Sequence, residues 1–514
     1  MPHARPTPHL RPSIVLNAAE QGEVPTTTVT KGLGRLSILT FIVLASMNLM
    51  DYMDRNVLSA VLPQVQSSLR INDEQAGKLA TAFLLTYSLV GPVMGWAADR
   101  YRRTWLLALG VGIWGLATMG SGLATDYDHL WYARCMLGVG EATYGVIAPT
   151  MLMDLFSRQS RSRVLSAFYV AMPVGSALGM VIGGAMAPWP AEARSAFLLS
   201  WFGPDLGTTL ASFEGWQLAF FVVGIPALLS VLVAAFLPEP VRGASEGVDE
   251  TKLQAHQKSG PTAHDYQDLM VNSSYTYSVL GMTFYTFAIG GLLIWFPSFL
   301  FTTRGFEQQS SSLTLGLITA SAAILGMSSG GWVADMLAKR DSRALFLVPG
   351  TAMLLAIPPL ILALLARDKT IVFTAIFLAE FLMFVNTGPC NAIIGHVVQP
   401  NMRAVALALA IAVIHFLGDI WSPWLIGLIS DRFGSPAAMS GTIGKMLAAV
   451  GAEPTQVPGR PGGRNLLAGL LIVVPAVALS GVVLLSGARH LPREMALMLA
   501  KLKASKAGPA DPAT

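Results

Sequence analysis

The sequence predicts an all-α integral membrane protein with twelve transmembrane helices in two six-helix halves. Composition is the first observation behind this fold class: of the 514 residues, 53% are hydrophobic and only 12% are charged, a balance far from that of soluble domains. Segments of about 20 apolar residues, enough to cross roughly 30 Å of hydrocarbon, also recur along the chain. We place twelve spans at 36–61, 75–98, 104–124, 129–153, 164–187, 216–237, 274–302, 311–334, 344–366, 371–397, 404–428 and 465–487.

A repeat within the chain is the third observation. The string GWAAD at 95–99 ends the second span, and GWVAD at 331–335 ends the eighth span, six spans later. The repeat predicts an N-terminal half at 36–237 and a C-terminal half at 274–487, joined by an acidic cytoplasmic linker at 238–273. Parallel repeats of this kind occur in secondary transporters, with the substrate site near the midplane between the halves.

The distribution of Lys and Arg predicts the orientation of the chain. These residues are more frequent in the segments that lie inside when the amino terminus is placed inside, as the positive-inside rule requires. We therefore expect cytoplasmic tails at 1–35 and 488–514, a multi-pass position in a bacterial inner membrane, and a first span that acts as an uncleaved targeting signal. The basic inner segments lie beside anionic lipid, which accounts for a pI near 9.0 without a nucleic-acid partner.

Charged residues inside the apolar spans are the main functional signal, because such residues are costly in a membrane and need partners. The first span carries Asp51, Asp54 and Arg55, and the fourth span carries Arg134 and Glu141. The two spans run in opposite directions, so Arg134 is expected at about the depth of Asp54 and Arg55. We predict that Arg134 lies beside Asp54, while Glu141 faces a cavity and exchanges protons. The alternative is a purely structural ion-pair network that locks the two spans together.

The second half offers fewer charged candidates. Glu380 and Asn386 lie in the tenth span, and His415 and Asp419 lie one turn apart in the eleventh span. The spacing of His415 and Asp419 predicts either a titrating pair or an ordinary hydrogen-bonded core histidine. Aromatic residues are expected to line the cavity, with packing or lipid-facing positions as the alternative; they are Tyr144, Phe284, Tyr285, Phe287 and Trp295.

Several classes of chemistry lack their motifs in this sequence. Cys135 and Cys390 lie inside spans, so neither a disulfide framework nor a metal site is expected. There is no nucleotide-binding glycine loop and no hydrolase elbow. We therefore predict neither an enzyme nor an ATP-driven pump, and no cofactor.

The segment GWAADRYRRT resembles the signature that connects the second and third helices in the major facilitator superfamily, although Arg102 stands where that signature has glycine. Five further motifs, in this order, resemble the spinster family and its bacterial relatives: DYMDRNVLSAVLP, GVGEATYGVIAPTMLMDLF, RSRVLSAFYVAMPVGSALG, PEPVRGA and HFLGDIWSPWLIGLISDR. The chain departs from that family at Asp51, where asparagine is usual, and in two long outer loops at 188–215 and 429–464.

The resemblance implies a major facilitator fold that works by alternating access. Members of the family move amphipathic lipids such as sphingosine phosphate or lysophospholipids, often coupled to protons. By position, Asp54 and Glu141 match the family's proton-responsive carboxylates, Arg55 and Arg134 match its central basic residues, and His415 falls in the motif of the eleventh helix. The conformational-switch signature corresponds to Gly95, Asp99, Arg100 and Arg103 in the first half and to Gly331 and Asp335 in the second half.

We therefore predict a monomeric, proton-coupled secondary transporter that moves an amphipathic or lipid-like small molecule while surrounded by membrane lipids. The predicted proton-coupling residues are Asp51, Asp54, Glu141, His415 and Asp419. The predicted substrate and central-charge residues are Arg55, Arg134, Glu380, Asn386, Tyr144, Phe284, Tyr285 and Trp295. Two alternatives stay open: a carrier of a small organic anion, sugar or drug-like compound, and a non-transporting membrane receptor of the same fold.

Overall fold

A computed structural model describes residues 26–156, 158–240, 267, 269–399, 402–456 and 462–506. Most of the predicted linker lies outside these residues, as do parts of both predicted tails. Within the described ranges the chain is almost entirely α-helical.

The first half forms helices α1 (Thr26–Leu69), α2 (Asp73–Arg100), α3 (Arg103–Gly122), α4 (Tyr127–Leu155), α5 (Arg158–Met186), α6 (Ala191–Ala211) and α7 (Gly215–Ala235). The second half begins with α8 (Ser273–Thr302), α9 (Gln308–Ala338), α10 (Ala344–Leu355), α11 (Ile357–Leu365), α12 (Lys369–Phe384), α13 (Thr387–Val397) and α14 (Arg403–Ile414). It continues, after a π-helical turn at His415–Asp419, with α15 (Ser422–Arg432), α16 (Pro436–Met439), α17 (Thr442–Ala449), α18 (Leu466–Leu470), α19 (Val473–Gly487) and α20 (Leu491–Lys506).

The predicted all-α membrane fold with twelve spans is confirmed in outline. In the part of the chain that the structure describes, eleven helical segments are long and apolar enough to cross a membrane. The remaining predicted span is α4, which has 29 residues but is not among those eleven. Arg134 and Glu141 lower its hydropathy, so buried charge rather than short length sets α4 apart.

Capping side chains explain where several of these helices begin. Asn72 forms a capping box with Gln75 at the start of α2, and the Asp126 carboxylate accepts a hydrogen bond from the backbone N–H of His129 at the start of α4. Such caps satisfy backbone N–H groups that have no partner in the first turn of a helix.

Helix α5 holds α1 in place through a row of glycines. Gly175, Gly179 and Gly183 recur every four residues, and a Cβ atom at Gly179 would lie 2.3 Å from the carbonyl oxygen of Met53. The two backbones therefore meet without room for a side chain. This contact sets the rotation of α1 at the turn that carries its charged residues.

The two halves contact each other near the end of the bundle where α1 meets α2, called here the α1–α2 end. Thr81 Oγ1 of α2 donates a hydrogen bond to the carbonyl oxygen of Ile420 at 2.6 Å. Gln308 Nε2 of α9 donates to the carbonyl oxygen of Ala60 at 2.8 Å. On α1, Ala60 lies beyond Arg55 toward this end, so these contacts join the halves on one side of the central charges.

Candidate functional site

The centre of the first half is built around Arg55 of α1. Its Nε donates to Oε2 of Glu141 on α4 at 2.7 Å, and its Nη2 lies 3.1 Å from Oδ2 of Asp51 one turn earlier. Its guanidinium carbon also lies 4.7 Å and 4.8 Å from the ring centroids of Tyr52 and Tyr87. Both carboxylates are buried, whereas the Arg55 side chain is 18% exposed. One arginine thus joins α1 to α4 and keeps part of its surface open to a ligand.

Asp54 is bound by neutral donors from α3. Its Oδ2 accepts hydrogen bonds from Trp114 Nε1 at 2.7 Å and from Thr118 Oγ1. Its Oδ1 has no hydrogen-bond partner, although the residue is fully buried. Asp54 therefore keeps one oxygen that can accept a further donor.

Arg134 of α4 is buried with unused donors. Its Nε and Nη1 have no hydrogen-bond partner, and its guanidinium carbon lies 5.2 Å from the ring centroid of Phe83. Buried charged groups with unused hydrogen-bonding capacity are costly, and in membrane proteins they mark functional positions. Arg134 is therefore a second cation of the site, held beside an aromatic ring.

The pairing of these groups agrees with the prediction in one part and differs from it in another. Arg134 and Asp54 attract each other electrostatically, as expected. Glu141 was expected in a cavity but is buried against Arg55, and the hydrogen bonds that Asp54 accepts come from α3. The rise of about 1.5 Å per residue gives the depth of a side chain in a helix. The rotation of α1 against α4, which decides the pairing, depends on packing with α5.

His415 and Asp419 meet in the π-helical turn of the second half. His415 Nδ1 lies 3.0 Å and 2.9 Å from the two carboxylate oxygens of Asp419. Arg55 of the first half is close enough to act on His415 electrostatically. Single π-helical turns occur frequently at functional sites, and this one brings a histidine toward the central arginine.

Glu380 of α12 is a buried carboxyl whose oxygens both lack hydrogen-bond partners. Thr319 of α9 lies near it, but neither group completes a hydrogen bond. Asn386 lies at the break between α12 and α13, where its Oδ1 accepts from Cys390 Sγ at 2.6 Å while its Nδ2 has no partner. The second half thus keeps unused polar atoms in a span that is broken in the middle.

The aromatic residues expected to line the cavity fall into two groups. Tyr144, Tyr285 and Trp295 are buried in packing contacts. The Tyr144 hydroxyl donates to the carbonyl oxygen of Leu44 at 2.6 Å, and Trp295 Nε1 donates to that of Pro423 at 3.0 Å. The other expected lining residues keep partly exposed side chains: Phe284 and Phe287.

A second buried charge cluster joins the two halves at the α1–α2 end. Arg464, just before α18, contacts both carboxylate oxygens of Asp73, the first residue of α2, at 3.1 Å each. Both side chains are completely buried. Gln66 Nε2 and Ser430 Oγ also donate to the Asp73 carboxylate, at 2.7 Å and 2.6 Å. We call Asp73, Arg464, Gln66 and Ser430 the gate cluster.

Sequence reasoning missed the gate cluster. Arg464 falls at the end of the predicted outer loop 429–464, where basic residues are normally solvated. Asp431 of the same loop accepts hydrogen bonds from the backbone N–H groups of Asp73 and Glu74, at 3.2 Å and 2.7 Å. An acidic cap at a helix N-terminus stabilises that terminus, but neither partner is recognisable before the halves are brought together.

The predicted switch signature lies at the opposite end of the bundle, where α2 meets α3. Arg103 forms ion pairs with Asp154 at 2.6 Å and Glu239 at 3.1 Å, and Glu239 also accepts a hydrogen bond from the backbone N–H of Thr104 at 3.0 Å. Partial burial would raise the pKa of Glu239, but the hydrogen bonds from Thr104 and Arg103 outweigh burial and lower that pKa. The other signature residues are exposed or partly exposed: Gly95, Asp99, Arg100, Gly331 and Asp335.

Comparison with known proteins places the chain in a family. Residues 44–423 match the model of the Major Facilitator Superfamily. The human protein "Protein spinster homolog 1" is 36% identical over 415 residues, which cover 77% of this chain and 73% of the human protein.

Solved structures agree with this assignment at the level of the fold. The crystal structure of a bacterial homolog to human lysosomal transporter, spinster, in inward-facing and unoccupied conformation superposes with a TM-score of 0.76 at 22% identity, covering 89% of this chain and 98% of the other. A D-xylose-proton symporter superposes with a TM-score of 0.63 at 15% identity, covering 87% of this chain and 97% of the other. The chain is a multi-pass membrane transporter that belongs to the spinster family of the major facilitator superfamily.

Proposed function

We propose that this transporter is proton-coupled and moves an amphipathic molecule with an anionic or zwitterionic head group. The observation that carries the proposal is the position of Arg55, which two buried carboxylates hold while part of its side chain stays exposed. A head-group oxyanion would bind the same N–H groups that donate to Asp51 and Glu141. Substrate and carboxylates therefore compete for one guanidinium group.

Protonation relieves this competition. A proton on Glu141 removes the charge that holds Arg55 Nε and frees that N–H for the head group. Proton binding and head-group binding then favour each other, and linkage makes the effect reciprocal. Asp54, with one free oxygen, and Arg134, with two free donors, provide a second carboxylate and a second cation for the alternate state.

Alternating access explains why contacts between the halves gather at the α1–α2 end. With both termini in the cytoplasm, as the positive-inside rule indicates, that end faces the outside and the present state is open inward. In this state Arg55 acts electrostatically on His415 of the other half. The transporter would work as a monomer in a bacterial inner membrane, with surrounding lipid at its apolar faces.

The unused polar atoms of the second half favour one rival candidate, a small polar anion or hydroxylated compound. Such a substrate would use Arg55 for its charge and the free atoms of Glu380 and Asn386 for its hydrogen bonds. An amphiphile would need only the first of these contacts. The two candidates therefore differ in whether transport depends on Asn386.

The test is proton movement in liposomes that contain the purified protein and a pH-sensitive dye. Candidate lysolipids, sphingoid lipids, sugars and organic anions are added one at a time without an imposed gradient. We expect proton movement to follow a lipid amphiphile, and we expect Glu141→Gln to abolish the pH dependence of transport while the protein still folds. Proton movement with sugars or small anions alone would overturn the amphiphile assignment.

The matched control is Asp128→Asn, which removes an exposed carboxylate from the first turn of the same helix. This variant should keep the wild-type pH profile. If Glu141→Gln also keeps the wild-type profile, Glu141 is not the coupling carboxylate.

A further inference from the structure

The first long loop at the α1–α2 end folds into a helical hairpin formed by α6. Gly203 has a φ of +76°, a conformation that favours glycine, and Pro204 opens the second arm. The arms pack against each other, because a Cβ atom at Gly207 would lie 2.7 Å from the carbonyl oxygen of Leu198. We call residues 191–211 the aromatic hairpin.

The contact between this hairpin and α7 sets its depth. Leu198 forms an apolar cluster with Leu218 and Phe221 of α7, and Leu210 packs against the same cluster. Helix α7 has 21 residues, or about 31 Å at the usual rise, which is barely the thickness of the hydrocarbon layer. Leu218 and Phe221 therefore lie within roughly the first 10 Å of the span. The hairpin packs on them at the membrane boundary.

The hairpin also borders the lipid-facing side of α7. Immediately after Phe221, Val222 and Ile225 are 46% and 49% exposed in a helix that crosses the membrane. A hairpin that packs on Phe221 is thus adjacent to lipid.

The hairpin exposes aromatic side chains where it extends past α7. Trp201 lies three residues after Leu198, on the same face of the first arm, yet it is 73% exposed. Phe197 and Phe202 are also exposed, and the ring centroids of Phe197 and Trp201 are 5.9 Å apart. Large aromatic side chains that lie side by side are rarely left exposed to water, and tryptophan is enriched at membrane interfaces.

We propose that the aromatic hairpin lies in the lipid headgroup layer and inserts Trp201, Phe197 and Phe202 at the boundary with the acyl chains. Its partner is the lipid surface itself, and the proposal is independent of the substrate and of proton coupling. The sequence of the hairpin contains one basic residue, Arg194, whose Nη1 donates to the carbonyl oxygen of Trp189 at 3.2 Å. Apolar area rather than attraction to anionic lipid therefore supplies the interaction.

The test places a fluorescent label at Trp201→Cys in an otherwise cysteine-free full-length chain reconstituted into phosphatidylcholine vesicles. We expect lipid-attached quenchers to quench this label several-fold more than they quench a label at Ser200→Cys, the exposed neighbour on another face of the helix. Iodide in the aqueous phase should quench the label at Ser200→Cys more than the label at Trp201→Cys. Phe202→Cys provides a second site should Trp201→Cys not fold.

The test is completed by varying the lipid composition of the vesicles and the density of protein in them. Added anionic lipid or salt should leave the quenching unchanged, because the hairpin offers no free cationic patch. Equal iodide quenching at the two labels would overturn the proposal. Protection that appears only at high protein density would also overturn it, in favour of contact with a second copy of the chain.

Discussion

Two buried arginine–carboxylate clusters show how differently the same chemistry is used in this transporter. Arg55 pairs with Asp51 and Glu141 inside the first half, whereas Arg464 pairs with Asp73 across the two halves. Alternating access requires the halves to separate at one end and then at the other. In the proposed cycle the Arg464 pair breaks at each turnover, whereas the Arg55 pairs persist until a proton or a substrate displaces them.

The clusters also differ in exposure. Arg464 and Asp73 are completely buried, whereas the Arg55 side chain is 18% exposed. Removing one partner of a fully buried pair leaves an uncompensated charge, which costs more than the pair contributes. We therefore expect substitutions in the gate cluster to change the balance between conformations, and substitutions at the centre to change transport.

Arg464→Met should have the largest effect. It leaves the Asp73 carboxylate without its cation in the closed state, at a cost of about 3–5 kcal/mol, so the population should shift by roughly 100-fold or more toward the state open at the α1–α2 end. Distances between spin labels at Arg70 and Gln309, one in each half, measure this shift. Adding Asp73→Asn to Arg464→Met should restore much of the wild-type distribution. An unchanged distribution in the single variant would show that the pair does not hold this end closed.

Arg55→Lys should have an intermediate effect, which we expect on transport and not on the gate cluster. Lysine carries a point charge without the planar fork that lets arginine bind two carboxylates. We expect transport to fall by about 10- to 100-fold, which corresponds to roughly 1.4–2.7 kcal/mol, while the label distances at the α1–α2 end stay as in the wild type. Arg35→Lys, at an exposed arginine on the same helix, is the control and should transport normally. A change in gate distances would contradict the separation of the two clusters.

Glu239→Gln should have the smallest effect, because Glu239 is partly exposed and solvent screens its ion pair with Arg103. Folding lowers the pKa of the Glu239 carboxyl. The ionised carboxylate therefore stabilises the folded protein at pH values above the ordinary glutamate pKa of about 4.3, and this contribution is lost as the pH falls through the folded-state pKa. We expect a loss below about 1 kcal/mol at pH near 7 and none in strong acid. Thermal unfolding of both proteins at the two pH values measures it. An equal loss of stability at the two pH values would show that the charge of the Glu239 carboxylate is not its cause.

Much of the fold could be predicted from the sequence, and less of the site. The order of the spans follows from hydropathy, because crossing the membrane imposes a length on each apolar segment. The internal repeat follows from the paired strings GWAAD and GWVAD. The spacing of His415 and Asp419 indicated a local pair, which the structure contains. Partners that lie far apart in sequence, such as Arg55 and Glu141, could not be assigned to each other, because the depth estimate placed Arg134 rather than Glu141 level with Arg55.

The amino-acid sequence alone determined that this protein is a twelve-span membrane transporter with two arginines and several carboxylates inside its first half. Only the tertiary structure decided that Glu141 binds Arg55 rather than Arg134, and that Arg464 forms an ion pair with Asp73 across the two halves. Membrane crossing depends on properties of each segment, so composition suffices for it. Pairing depends on how helices rotate and dock against one another, and that is decided by glycine contacts and packing throughout the bundle.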